Sequence, residues 1–136
     1  MTTAYLCVLI AAIMPILFAA YAKFSTEGYD NSSPREFLEK LQGKAKRAHF
    51  AHLNSFEAFP AFAAAVIIAH LAGVSQGQIT VLAVFFIIFR ILYGVCYILD
   101  KHSFRSAVWA GAFFCVLWLF IAAIGHSLNN HISITF

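Results

Sequence analysis

The sequence predicts an all-α integral membrane protein, a four-transmembrane-helix bundle forming one domain over residues 1–136. Three observations predict it. Hydrophobic residues make up 62% of the chain and the mean hydropathy is +0.81, well above soluble proteins, in which apolar residues are roughly half. They gather in four stretches, about 4–22, 50–72, 79–99 and 107–125, each close to the ~20 residues a helix needs to cross the bilayer core. No stretch alternates apolar and polar residues, so membrane-barrel strands are not expected; helices remain as the other way to satisfy backbone polar groups in lipid.

The first helix, about 4–22, has no positive segment ahead of it and no small-residue cleavage site after it, so it reads as a retained span. Residues 23–46 form the one long polar connection. Within it, Tyr29 to Pro34 reads as a turn, Ser33 is placed to cap a short helix opening at Pro34, and Glu36 is placed as the reciprocal capping carboxylate. Phe37, Leu38 and Leu41 are expected to lay this helix on the membrane surface, with Gly43 at its end. Spans follow at about 47–72, 78–99 and 106–125, joined by short connections that make successive helices antiparallel neighbours.

Charge sets the orientation. Lys23, Arg35, Lys40, Lys44, Lys46 and Arg47 flank the first connection, and Lys101 and Arg105 the third; residues 73–78 and both tails carry no Lys or Arg. The positive-inside rule then puts the two basic connections in the cytoplasm and both termini outside. The net charge of +3 calls for no nucleic-acid partner, because these cations lie where anionic headgroups hold them. Cys7, Cys96 and Cys115 fall inside separate spans and read as small apolar packers. His49 and His52 lie three apart near Glu57, but zinc needs three or four convergent ligands, so no metal site is expected.

The chemistry concentrates in the middle of the chain. Glu57 is the only carboxylate inside an apolar stretch and Arg90 the only cation; ionisable groups at membrane depth face a partner or a polar ligand. Arg47, Phe50, Asn54, Glu57 and Ala61 share one helical face, and Pro60 on the next turn removes a backbone hydrogen bond. Arg90, Tyr93 and Tyr97, at i, i+3 and i+7, make a second polar stripe, and Arg105 stands at the cytoplasmic start of the fourth helix. These residues either line one polar cleft open to cytoplasm and lipid, or include a structural Glu57–Arg90 pair that fastens two helices.

The A-H-x-N-x-x-E-x-x-P-x-F run from Ala51 to Phe62, the R-x-x-Y-x-x-x-Y stripe from Arg90 to Tyr97, and F-R-S-x-x-W from Phe104 to Trp109 resemble the MAPEG family, membrane-associated proteins in eicosanoid and glutathione metabolism. The bacterial branch looks most similar, which implies a bacterial inner membrane. The resemblance implies a MAPEG-like homotrimer with glutathione bound between subunits near the cytoplasmic side. By similarity, Asn54 and Glu57 hold the tripeptide or order its site, Arg90, Tyr93 and Tyr97 contact it, and Arg105 activates the thiol. A cation suits that role, because a free thiol titrates near 8.5 and a neighbouring positive charge favours the thiolate.

Two positions depart from the family pattern. Phe50 stands where many relatives carry arginine, and Ala58 where some carry tyrosine; Arg47 or Lys46, about one turn earlier, are candidate substitutes for the arginine. The implied activity is glutathione transfer to lipophilic electrophiles or reduction of lipid hydroperoxides. The alternative is a non-catalytic, lipid-binding accessory subunit of the same fold, since fold does not imply activity. A small multidrug exporter fits poorly, because residues 4–22 lack the membrane-embedded glutamate typical of that class.

Overall fold

A computed structural model describes residues 2–134, and the side chains of residues 2–129. Five helices follow in order: α1 (Thr2–Phe24), α2 (Pro34–Lys40), α3 (Gly43–Leu71), α4 (Gln76–Ile98) and α5 (His102–Ile134). Among the described residues there is no strand. Four helices are long and apolar enough to cross a membrane, and only 28–39% of each apolar window is buried within the protomer. The larger share of apolar side chains therefore points outward, as expected where lipid or neighbouring subunits replace water. Composition and helices together make this an integral membrane helical bundle.

α1 packs chiefly on α3 and α4 on α5, with α3 also touching α4 and α5. The centre is small and tightly filled: Phe62 of α3 and Phe86 of α4 stack at 3.8 Å with their planes 6° apart, amid alanines of all four long helices such as Ala4, Ala65, Ala83 and Ala112. Small residues suit a membrane bundle because they let backbones approach closely. Gly94 shows how closely: a Cβ there would lie 2.0 Å from the Phe18 ring.

The bundle ends are fixed by local chemistry. At one end Arg47, near the start of α3, donates from Nε to the Ile98 carbonyl at the end of α4, 3.1 Å away. At the other, Gln76 donates to His70 Nδ1 at 3.2 Å, and the Tyr5 ring meets His70 edge-on at 6.3 Å. Helices α3 and α4 both finish in the backbone pattern that returns two N–H groups to earlier carbonyls. For α3, Gly73 and Val74 bond back to His70 and Ala69; for α4, Asp100 and Lys101 bond back to Tyr97 and Cys96. Gly73, at φ 83°, takes the left-handed conformation freely; Asp100 holds it at φ 61° with a side chain attached.

Several local expectations change. Gly43 opens α3 instead of ending α2, which stops at Lys40; the K-A-K-R run forms the first turn of α3, as its place ahead of the span expected. α5 continues beyond 125 to Ile134, because the polar residues after the apolar stretch extend the helix instead of ending it. Ser33 precedes α2 and Pro34 opens it, but the Ser33 side chain makes no cap; only its carbonyl is used, by the N–H of Phe37 at 3.1 Å. The turn is held instead by Asp30, which accepts from the Ser32 N–H at 3.0 Å and from the Ser32 hydroxyl. These two bonds hold the exposed Asp30 carboxyl below the usual aspartate range. Leu38 and Leu41 face inward rather than onto the membrane, forming a second small core with Ala22, Ala45 and Ala48 against which Phe37 and Ile98 pack. α2 thus closes over the ends of α1 and α3.

Candidate functional site

Buried arginine organises the site. Arg90 lies two-thirds of the way along α4 with 2% of its surface exposed. Its guanidinium donates to Asn54 Oδ1 and Ser55 Oγ of α3, both at 3.0 Å. Asn54 then donates from Nδ2 to Glu57 Oε2 at 3.3 Å. The direct Glu57–Arg90 ion pair that spacing allowed is absent among the described residues; Asn54 stands between them. The amide accepts from the cation with its oxygen and donates to the carboxylate with its nitrogen, so one Asn relays polarity from the buried guanidinium to an exposed carboxylate.

From Arg90 a second line of contacts runs toward the start of α5. The Arg90 guanidinium carbon lies 4.4 Å from the Tyr93 ring centroid. Tyr93 and Tyr97 meet edge to face at 5.5 Å, and the Arg105 guanidinium carbon lies 4.4 Å from the Tyr97 centroid. Both cation–ring distances fall within the ≈ 6 Å range of attraction to the ring quadrupole. Asn54, Glu57, Arg90, Tyr93, Tyr97 and Arg105 therefore form one continuous run across α3, α4 and α5. Its end is half-buried at Arg105, where α5 leaves the cytoplasm-side connection expected from charge.

Beside this run lies a cleft of about 230 Å³ between α3, α4 and α5. Asn54, Glu57 and Arg90 form its polar end, and Ala58, Phe86 and Phe113 are among its apolar walls. Trp109 and Phe113, stacked at 5.4 Å, supply the α5 side. Ala58 and Ala61 leave room that larger side chains would fill. The arrangement offers a polar terminus joined to an apolar slot, the combination typical of small-molecule sites.

Arg47 is placed apart from this run. Besides the Ile98 carbonyl it meets Asp100 at 3.9 Å, so it is held at the end of α4. Lys46 stands beside Phe50: its ammonium lies 6.0 Å from the Phe50 centroid, and that ring in turn is 6.3 Å from Tyr97. Ser55 is the partner that sequence reasoning overlooked. Its signal was adjacency: a buried guanidinium has five donors, and the hydroxyl next to Asn54 is the nearest acceptor one residue around the same turn. No group of three or more metal-ligating side chains gathers among the described residues.

No curated protein and no solved structure matches this chain. The sequence profile of the MAPEG family matches residues 3–125, nearly all of the membrane bundle and every residue of the Asn54–Arg105 run. The chain belongs to the MAPEG family, membrane proteins associated with glutathione and eicosanoid metabolism.

Proposed function

We propose that the protein is a glutathione-dependent membrane enzyme, a transferase or peroxidase, acting on lipophilic electrophiles or lipid hydroperoxides taken from the bilayer. The unbroken run from Glu57 through Asn54, Arg90, Tyr93 and Tyr97 to Arg105 carries this reading. Glutathione presents two carboxylates, an ammonium group and a thiol. Lys46 suits a carboxylate, Glu57 the ammonium and Arg105 the thiolate, so the residues present fit the tripeptide. Arg105 holds the thiol as thiolate; Arg90 fixes Asn54 and Glu57, and the tyrosines position the peptide. In transfer, a sulfur–carbon bond forms while the electrophile's leaving group, or its adjacent atom, takes the electron pair. In peroxide reduction, the thiolate sulfur takes the terminal OH and becomes a sulfenic acid, the O–O bond breaks, and the lipid alkoxide leaves and takes a proton from water. A second glutathione then converts the sulfenic acid to glutathione disulfide and water.

Assembly belongs to the same proposal. Glu57 is exposed on a spanning helix of the protomer, and a carboxylate facing lipid is costly. A homotrimer that covers this face removes the cost and places glutathione between subunits, with both termini outside and the basic connections in the cytoplasm of a bacterial inner membrane.

The test is a glutathione titration of detergent-purified protein, following thiolate absorbance and thermal stability, with Arg105→Ala alongside. The expected result is a thiolate signal and a stability rise, with turnover of Arg105→Ala lowered about 10²–10³-fold, the scale for removing one charge-stabilising donor, and the trimer intact. Unchanged turnover removes Arg105 from this role. A second reading, a lipid-binding accessory subunit, is favoured by Phe50, which sets an exposed apolar ring beside Tyr97. Silence to glutathione together with a stoichiometric co-purifying enzyme would select it.

A further inference from the structure

Among the described residues two polar side chains are buried, Arg90 at 2% and Ser55 at 4% exposure, and they are bonded to each other at 3.0 Å. Ser55 interrupts an otherwise apolar row on the buried side of α3, after Ala45, Ala48 and Ala51 and before Phe62, Ala65 and Ala69. Alanine at that place would fill nearly the same space with no hydroxyl to satisfy. What serine adds is the hydroxyl, and its partner is Arg90.

The guanidinium stands between two spaces. On one side is the 230 Å³ cleft, lined by Arg90 and Asn54 but not by Ser55. On the other is a hole of about 10 Å³, lined by Arg90 and Ser55 but not by Asn54, with Ala11 and Met14 of α1 on its far wall. Asn54 holds Nη1 on the cleft side and Ser55 holds Nη2 on the inner side, each at 3.0 Å. A single bond leaves a planar guanidinium free to swing about that contact; two, from different nitrogens to adjacent residues, clamp its plane. We propose that Ser55 is a positioning residue of the glutathione site, acting through Arg90 to hold the Asn54 amide in the orientation that serves Glu57. The assignment rests on the glutathione reading. An amide can offer either its oxygen or its nitrogen to a neighbour. With Nη1 fixed, Asn54 turns its oxygen to the cation, which leaves Nδ2 for Glu57 Oε2 at 3.3 Å. Without the Ser55 hydroxyl the guanidinium can swing toward the cleft, Asn54 loses its fixed donor, and Glu57 loses the orientation that suits an ammonium. Arg105 stands further along the run, beyond Tyr93 and Tyr97, so activation of a bound thiol does not depend on Ser55.

The test separates affinity from activation. Glutathione is titrated into the detergent-purified protein and into Ser55→Ala, Ser55→Thr and Ala69→Gly while thiolate absorbance is followed; the midpoint reads affinity and the plateau reads thiolate formed. Ser55→Ala should raise the midpoint about fivefold to tenfold, the scale of one lost hydrogen bond, and leave the plateau unchanged. Ser55→Thr, which keeps the hydroxyl, should restore the midpoint. Ala69→Gly, buried on the same side of α3 but outside the site, should lower thermal stability through the glycine cost in a helix without moving the midpoint. An unshifted midpoint in Ser55→Ala, a fall of its plateau together with the midpoint, a folded Ser55→Thr that restores nothing, or an equal shift in Ala69→Gly each overturns the positioning role. These outcomes leave the glutathione reading standing, because the wild-type protein still gives a saturable thiolate signal. A wild-type protein with no thiolate signal overturns that reading itself, and the role of Ser55 with it.

Discussion

The two faces of α3 treat charge in opposite ways. Toward α4, Arg90 is buried and its charge is answered within the protomer by Asn54 and Ser55, with Glu57 one hydrogen bond further on. Toward α1 and α2, Lys23 and Arg35 stand at an open groove with almost nothing to answer them. An internally satisfied cation is preorganised: it orders its neighbours before any ligand binds, and the bundle loses stability without it. An unanswered cation contributes little to the fold and keeps its electrostatic capacity for something outside it. The two faces therefore separate a cation that orders its neighbours from cations that the protomer leaves almost unanswered.

The largest effect should come from the satisfied face. Arg90→Ala removes two charge-assisted bonds and leaves a cavity, and should cost about 2–4 kcal/mol in reversible unfolding from detergent. Ser55→Ala removes one of those bonds and should cost about 1–2 kcal/mol. Because both act through one guanidinium, the double variant should lose less than the sum, by at least about 0.5 kcal/mol. Strict additivity would mean that Ser55 and Arg90 contribute independently, and the clamp would not be a unit.

Much of this contrast was legible in the chain. Hydropathy alone located all four spans, and the polar spacing on α3 and α4 brought Asn54, Arg90 and the tyrosines together. Periodicity identifies a face, however, and not which of several acceptors on that face a long side chain will choose. That is why spacing left a Glu57–Arg90 pair open beside a shared polar cleft, while Asn54 and Ser55 hold the guanidinium. The same limit applies to Arg47: seven residues before Asn54, it shares the face by angle but lies two turns away, within reach of the end of α4. For α2, the apolar triplet announced a buried side without saying what would cover it. The groove was not legible at all, since Lys23, Arg35 and His52 meet only after α2 folds back over α1 and α3.

Between the two extremes lies the Arg47–Asp100 pair, which is long at 3.9 Å and involves a 69% exposed carboxylate. Exposed pairs contribute about 0–1 kcal/mol. Asp100 also occupies a left-handed conformation that Gly73 fills at the corresponding end of α3, and a side chain there costs about 1–2 kcal/mol. Asp100→Gly should therefore be neutral or stabilising by up to about 1 kcal/mol by thermal unfolding. A loss above that size would place Arg47 and Asp100 with the satisfied face, as a pair the bundle needs.

The smallest effect should come from the unanswered face. Arg35 lies on the second residue of α2, exposed and without a partner among the described residues. In detergent, Arg35→Gln should change stability by no more than about 0.5 kcal/mol, as surface substitutions away from special features do. The comparison is sharpest when this variant is measured beside Ser55→Ala, also a loss of polar capacity by substitution at a single site. If Arg35→Gln proved the more damaging of the two, its charge would already be answered inside the fold. The contrast between the faces of α3 would then disappear.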